Sequence, residues 1–172
     1  MIYPRNFETK TGFDVVRRMV ADRCGSPLSA AKADDMTFSA DFDTVSRRLG
    51  EVAEFVTVLG GSEDFPAAVI RDITARLRAL RPEGTFLTAA ELIDLGTSLA
   101  SMAAIEAFFR SKRTDEGTST LPLLDDLARR LTIFPYLSTL IGNTVDRWGE
   151  VKDTASPTLA DIRRRLRSCL LY

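Results

Sequence analysis

The amino-acid sequence predicts an all-α fold, a helical bundle. Apolar residues recur at spacings of three and four along most of the chain, which is the period of an amphipathic helix. Pairs such as Ser26-Pro27 and Ser156-Pro157 precede these patterns and are typical helix starts. β-Branched residues do not alternate with polar ones over a useful length, so no strands are expected.

Length and composition place the chain among ordinary globular proteins of one domain, or of one domain with a satellite helix. Of its 172 residues, 45% are hydrophobic and 27% are charged. A net charge of −1 gives no global attraction to nucleic acid or to an acidic membrane. The N-terminus has no apolar signal-peptide region, and no apolar run approaches about 18 residues. We therefore expect a cytoplasmic protein in which Cys24 and Cys169 are reduced.

Three helices are predicted in the first third of the chain. The first has an apolar stripe from Phe13 to Cys24, and Ser26-Pro27 begins the second. Ser39 is the expected cap of the third, which ends at Gly60-Gly61. Its apolar residues follow heptad spacing but are too few for a free-standing coiled coil, so we expect them to face other helices of a bundle. These residues are Phe42, Val45, Leu49, Val52, Val56 and Leu59.

The middle of the chain predicts two more helices. A 3-4-3 apolar repeat from Ile70 to Leu80 indicates a helix after Pro66. Thr88 and Glu91 have the spacing of a capping box, which opens the longest helix at roughly residues 89–112. The residues expected to face inward are Leu92, Leu95, Leu99, Met102, Ile105 and Phe109. Gly96 costs this helix about 1 kcal/mol relative to alanine, so we expect a neighbouring helix to approach closely there.

The last third begins with a polar loop at residues 113–120, and Pro122 and Pro135 each start a helix. Residues 150–155 connect to a final helix that starts at Ser156-Pro157. No Gly, Asn or Pro follows Leu166 to stop that helix, so we expect it to continue beyond residue 172. We therefore predict a helical core bundle at residues 1–155 and the start of a lever-type helix at residues 156–172.

Residues that could carry chemistry are scarce. The chain has no histidine, which excludes Ser-His and Cys-His nucleophilic pairs and His-ligated zinc. No G-x-x-x-x-G-K-[ST] phosphate-binding loop is present. We expect no catalytic, cofactor-binding or metal-ligating residue in this chain. Its aspartate pairs, Asp34-Asp35, Asp41/Asp43 and Asp125-Asp126, and its arginine pairs, Arg17-Arg18, Arg47-Arg48 and Arg129-Arg130, are predicted to be solvated surface charges.

The strongest local basic feature is the group Arg163, Arg164, Arg165 and Arg167 on the final helix. One interpretation is contact with nucleic-acid phosphates, which arginine neutralises with release of counterions. The other is a solvated helix face that pairs with acids such as Asp161. Both stay open, and these four arginines are the weak nucleic-acid candidates of the sequence.

Two strings resemble a known family. One is Met1-Ile-Tyr-Pro-Arg-Asn-Phe-Glu-Thr-Lys-Thr-Gly-Phe-Asp14 with Cys24-Gly-Ser-Pro-Leu28, and the other runs from Gly149 to Arg163 as G-x-x-x-D-x-A-S-P-x-L-x-x-I-R. Together they resemble the second bacterial branch of the DNA mismatch repair MutS family, here called the MutS-two branch, whose members are DNA repair and recombination ATPases. The Phe-x-Glu wedge of mismatch-reading MutS proteins is absent, which fits this branch and argues against mismatch recognition.

The resemblance implies a helical core region that leads into long lever helices. It also implies that the parent protein binds ATP and Mg²⁺ in an ATPase domain that dimerises, and that many relatives end in an Smr nuclease domain. None of these parts has a counterpart in the 172 residues, so no enzymatic activity is expected of them. The implied partners are the rest of the parent chain and DNA or ribosomes engaged through other domains, with no membrane.

Two functions from different classes follow. The first is a scaffold that couples an ATPase domain to a DNA- or ribosome-engaging clamp. The alternative is a self-contained helical protein-interaction module without nucleic-acid function. A self-contained module should bury the apolar residues of the final helix, namely Leu159, Ile162, Leu166 and Leu170, in its own core. A lever should leave the later ones exposed.

Overall fold

The computed structural model describes residues 6–66 and 69–169, which form helices joined by turns. The described residues contain no β-sheet. Their extended pairing is limited to two isolated antiparallel bridges, Arg113 with Ser119 and Val145 with Val151. The predicted all-α fold is confirmed.

Contacts divide the chain into two compact units, residues 1–61 and residues 62–172. The first unit contains α1 (Phe7–Thr11), α2 (Phe13–Ala21), α3 (Pro27–Asp34) and α4 (Phe42–Leu59). The second contains α5 (Thr74–Ala79), α6 (Ala89–Ser111), α7 (Pro122–Ala128), α8 (Pro135–Thr144), a 3-10 turn (Asp153–Ala155) and α9 (Pro157–Cys169). The predicted division into a core at residues 1–155 and a lever-type helix at residues 156–172 is not tested by these contacts and stays a prediction.

In the first unit, α2 packs against α1 and α3. Ser26 caps α3 as predicted, because its Oγ accepts a hydrogen bond from Ser29 N at 3.2 Å. The expected surface role of Arg17 is wrong, since its side chain is only 18% exposed. Its Nη2 donates to the Glu8 carboxylate and to the Met36 carbonyl, each at 2.9 Å, and so ties α1 and the end of α3 to α2.

The capping residue of helix α4 and the side that it buries both differ from the prediction. Its cap is Asp41, whose Oδ2 accepts from Thr44 N at 2.8 Å, whereas Ser39 Oγ accepts from Asp41 N. The prediction that its heptad stripe faces inward is wrong, because Leu49 is 66% exposed and Phe42 80%. Val58, which lies outside the stripe, is the buried residue of this helix. Within the first unit, α4 has no packing contact with the described parts of α1 to α3.

The prediction of a helix directly after Pro66 is wrong for residues 69–73, which are not helical. Two serines on α6 form hydrogen bonds with backbone N–H groups that would otherwise bond within a helix. Ser101 Oγ accepts from Val69 N at 3.1 Å, and Ser98 Oγ accepts from Arg71 N at 2.9 Å. The N–H groups of Val69 and Arg71 are therefore satisfied outside a helix, and α5 begins only at Thr74.

The long helix α6 begins as predicted with a complete capping box between Thr88 and Glu91. It packs against α7 and α8 and contributes Leu99 to a core with Ile141 and Val145 of the α8 segment. A Cβ on Gly96 would lie 3.1 Å from Ile141 Cγ2. The expected close helix approach at Gly96 is confirmed.

By length and composition, α6 is the one helix in the described residues that could cross a membrane. Polar residues interrupt the apolar run of this helix, which is why the sequence contains no unbroken apolar run of about 18 residues. Helix α6 packs against α7 and α8 and buries Leu99 and Phe109. Only 22% of its apolar window is buried, and a single helix of this kind is weak evidence for a membrane span because a helix of a soluble protein passes the same test.

Candidate functional site

The string from Gly149 to Arg163 occupies a turn, a 3-10 turn and the first half of α9. Gly149 has φ of 88°, a conformation that favours glycine and lets the chain reverse after Trp148. Asp146 Oδ1 accepts from the backbone N–H groups of Trp148 and Glu150 at 2.9 Å each. The N–H of Glu150 is the main cause that lowers the pKa of Asp146.

Ser156 and Pro157 start α9 as predicted. Ser156 is extended, and its Oγ accepts from Leu159 N at 3.1 Å. Pro157 occupies the first helical position, where no hydrogen bond from its nitrogen is needed. A serine cap of this kind stabilises a helix by about 1 kcal/mol relative to alanine.

Asp153 joins the 3-10 turn to α9. Arg163 donates through Nη1 to Asp153 Oδ1 and, at 2.9 Å, to the Val151 carbonyl. Arg167 Nη2 donates to Asp153 Oδ2 at 3.0 Å. We call this arrangement of Asp153, Arg163, Arg167 and the Val151 carbonyl the helix-start clasp. It fixes the direction in which α9 leaves the turn, because one carboxylate holds two successive turns of the helix.

The clasp has a preferred charge state. The hydrogen bond from Arg163 is the largest cause that lowers the pKa of Asp153, and the charges of Arg167 and Arg163 add to it against the opposing effect of burial. The carboxylate is therefore ionised at neutral pH, the form that accepts from both guanidinium groups.

The four predicted arginines do not form one free basic surface. Arg163 and Arg167 bind Asp153, and Arg164 pairs with Asp161 one turn earlier. Arg165 has no ion pair within residues 6–66 and 69–169, and it lines an open cavity of about 320 Å³ with Ile162, Leu166 and Cys169. A phosphate would have to compete with intramolecular carboxylates for three of these guanidinium groups. Their role in nucleic-acid binding stays a prediction.

The apolar side of α9 becomes exposed along the helix. Leu159 is partly buried, whereas Ile162 is 47% and Leu166 56% exposed. Leu170 lies outside the described residues. Among the described elements, α9 packs only against the 3-10 turn, which in turn contacts α8.

A second cluster of charged side chains was not predicted from the sequence. Asp125 on α7 is only 4% exposed, and its Oδ1 and Oδ2 accept from Arg113 Nε at 2.8 Å and from Arg129 Nε at 2.9 Å. Burial would raise the pKa of Asp125, but the hydrogen bonds from Arg129 and Arg113 and their charges outweigh it and lower the pKa. The prediction that Asp125 is a solvated surface charge is therefore wrong, whereas the side chain of Arg129 is 53% exposed, as expected of a surface charge.

These arginines line an open cavity of about 470 Å³ in the second unit, which we call the arginine pocket. The charged side chains on its wall are Arg110, Arg113, Arg129 and Glu106, and its apolar wall consists of Ala103, Leu131, Ile133 and Pro135. Arg110 and Glu106 lie one turn apart on α6, with Nη1 and Oε2 separated by 3.4 Å. The sequence signal was the i,i+4 spacing of Asp125 and Arg129, which also fits an exposed pair.

No group of three or more Cys, Asp or Glu side chains in the described parts of the chain is arranged to hold a metal ion. Asp34-Asp35 and Asp41/Asp43 thus lie outside any such group within those residues.

Curated proteins named Endonuclease MutS2 are similar to this chain over about nine-tenths of its length. The relative from Symbiobacterium thermophilum is 33% identical over 156 residues, which cover 90% of this chain and 19% of the relative. The relatives from Thermomicrobium roseum and Bacillus velezensis are each 31% identical, over 90% and 91% of this chain and 19% and 20% of their own lengths. The chain belongs to the MutS-two branch of the MutS family. The resemblance predicted from the two strings is confirmed.

This MutS-two chain spans about a fifth of the length of the curated relatives that it matches. No protein-family profile matches it. Within it, the D-x-A-S-P segment has a structural explanation: Asp153 forms the clasp, Ser156 caps α9 and Pro157 occupies its first position. The string therefore describes how a helix starts, and none of these side chains forms a catalytic arrangement with another.

Proposed function

We propose that this chain is the helical core scaffold of a longer MutS-two protein. In this role it couples an ATPase domain, which binds ATP and Mg²⁺ elsewhere in the protein, to a clamp that engages DNA or ribosomes. The parent protein is cytoplasmic, acts as a homodimer in DNA repair or recombination, and contacts its substrate through other domains. The relatives' much greater length supports this proposal.

The observation that carries the proposal is the geometry of α9. A lever needs a fixed base and a shaft that is free to contact other parts. The helix-start clasp provides the base through Asp153, while Ile162 and Leu166 leave the apolar side of the shaft exposed. A helix that only completed this core would bury those two side chains, since exposed apolar area contributes nothing to folding.

A self-contained interaction module is the second candidate, and the exposed stripe of α4 favours it. Five of its six apolar side chains are more than 60% exposed, an arrangement suited to a partner helix. The described part of α9 favours the scaffold, because a module that is complete in itself has no use for a second exposed apolar helix face.

The reading frame around this chain tests the scaffold proposal. We expect a G-x-x-x-x-G-K-[ST] sequence downstream of Tyr172, because an ATPase domain must hold the phosphates of ATP. The purified 172-residue chain is expected to show neither ATP hydrolysis nor DNA cleavage. A frame that ends without a phosphate-binding loop, or ATP hydrolysis by the 172-residue chain, would contradict the proposal.

A further inference from the structure

We propose that the arginine pocket binds a phosphate group. Asp125 uses both oxygens to hold the Nε atoms of Arg113 and Arg129. Within the described residues, the terminal Nη groups of these two arginines have no hydrogen-bond partner. Asp125 thus fixes two guanidinium planes on the pocket wall and leaves their Nη donors unused.

The burial of these groups separates the pocket from an ordinary charged surface. Asp125 has a side chain that is 5% exposed, and that of Arg113 is 20% exposed. A buried carboxylate with two arginines is costly to desolvate, so the arrangement holds the arginines at a definite position at the expense of stability. Exposed i,i+4 pairs, such as Arg130 with Asp126, carry no such cost.

The charge and shape of the pocket select an anion with several oxygens. Three arginines line the wall with Glu106, and Asp125 behind the wall pairs with two of these arginines, so three positive and two negative charges leave an excess of one positive charge. Guanidinium groups bind phosphate through paired N–H donors. A carboxylate has two oxygens and could not serve three arginines as well as a phosphate can.

Glu106 opposes the anion and sets the role of Arg110. The 3.4 Å separation of Arg110 Nη1 and Glu106 Oε2 is long, and the Arg110 side chain is 64% exposed. Arg110 can therefore turn from Glu106 to a phosphate at little cost, whereas Arg113 and Arg129 stay where Asp125 holds them. This inference goes beyond the scaffold role and uses no residue of the helix-start clasp.

The test is a binding titration at low salt with two probes, inorganic pyrophosphate by isothermal titration calorimetry and a short fluorescein-labelled DNA duplex by anisotropy. The variants are Arg129→Gln and Arg110→Gln, and the matched control is Arg130→Gln. Arg130 is adjacent to Arg129, similarly exposed and paired in the same i,i+4 way, but it does not line the pocket. Arg110→Gln leaves Asp125 and its partners untouched, so a loss of folding in Arg129→Gln would not obscure the result.

We expect both pocket variants to weaken binding about tenfold, the effect of losing a charge-assisted hydrogen bond to phosphate. The control should change it by less than about twofold. Binding of pyrophosphate alone identifies a small phosphorylated molecule as the source of the phosphate, and binding of the duplex identifies nucleic acid. The proposal is overturned if neither probe binds, if the pocket variants bind like the parent chain, or if Arg130→Gln loses as much.

Discussion

Two adjacent aspartates with the same chemistry occupy different environments in this chain. Asp125 is buried and serves two arginines, whereas the side chain of Asp126 is 51% exposed and pairs with Arg130. Both have an arginine four residues later, so the sequence predicts the same pairing for each. The difference arises from Arg113, twelve residues earlier, which lies beyond α6 and meets Asp125 only in the folded chain. Local spacing is compatible with both pairs but does not determine which of them is buried.

The lowered pKa of Asp125 makes its contribution dependent on pH. The folded pKa lies below the value of about 3.9 of an unfolded aspartate, so the ion pairs contribute fully above about pH 4. That contribution is lost as the pH falls through the folded pKa. We predict that Asp125→Asn lowers the free energy of unfolding by about 2 kcal/mol at neutral pH, less than for a fully buried pair because Arg129 is half exposed. Urea unfolding measures this.

The control for this prediction is Asp126→Asn, which should change the free energy of unfolding by less than about 0.5 kcal/mol. At about pH 3, below the pKa of an unfolded aspartate, the difference between Asp125→Asn and the parent chain should shrink, because the unfolded parent chain then binds more protons than the folded one. Equal losses for the two variants, or a loss for Asp125→Asn that does not change with pH, would show that Asp125 acts through packing alone.

At the scale of elements, helix starts were predictable and helix faces were not. Ser26, Thr88 and Ser156 cap their helices through hydrogen bonds to residues three positions ahead, so the signal is complete in a few residues. The side on which a helix packs depends on distant residues. The heptad stripe of α4 is exposed although its spacing is that of a buried seam. Residues 69–73 have helical spacing but bind serines of α6 some thirty residues later.

The helix-start clasp predicts how α9 responds to the loss of Asp153. In Asp153→Ala, Arg163 and Arg167 lose the carboxylate that joins them to the 3-10 turn. We expect the backbone amides of the first turns of α9 to exchange hydrogen several-fold faster, while those of α6 and α8 keep their rates. Hydrogen-exchange mass spectrometry measures both regions at once.

Asp161→Ala is the matched control, because Asp161 also pairs with an arginine of α9 but lies within the helix and does not reach the turn. Its effect on exchange in α9 should be smaller. Equal exchange rates in Asp153→Ala and the parent chain would mean that the serine cap and Pro157 suffice to fix the helix.

As a whole, the chain consists of two helical units and spans about a fifth of the length of its curated relatives. Its MutS-two relatives are about five times as long, and the chain matches them over nine-tenths of its own length. The family could be predicted because the string from Gly149 to Arg163 combines a turn, a cap and an ion-pair partner in a fixed order. The arginine pocket could not be predicted in this way, since its residues come from α6, the loop after it, the end of α7 and the connection to α8.

The proposed scaffold role requires that α9 transmit the state of the ATPase domain from the base that the helix-start clasp fixes. The direct test is the stimulation of ATP hydrolysis by DNA in a full-length MutS-two protein that carries this sequence, compared between Asp153→Ala and Asp161→Ala. We predict that Asp153→Ala retains basal ATP hydrolysis and DNA binding, but that DNA stimulates its ATP hydrolysis at least about fivefold less than that of the parent protein. A fivefold effect lies at the lower end of the coupling between two sites. Asp161→Ala should keep the stimulation of the parent protein. Full stimulation in a folded Asp153→Ala protein would show that the helix-start clasp has no part in this coupling.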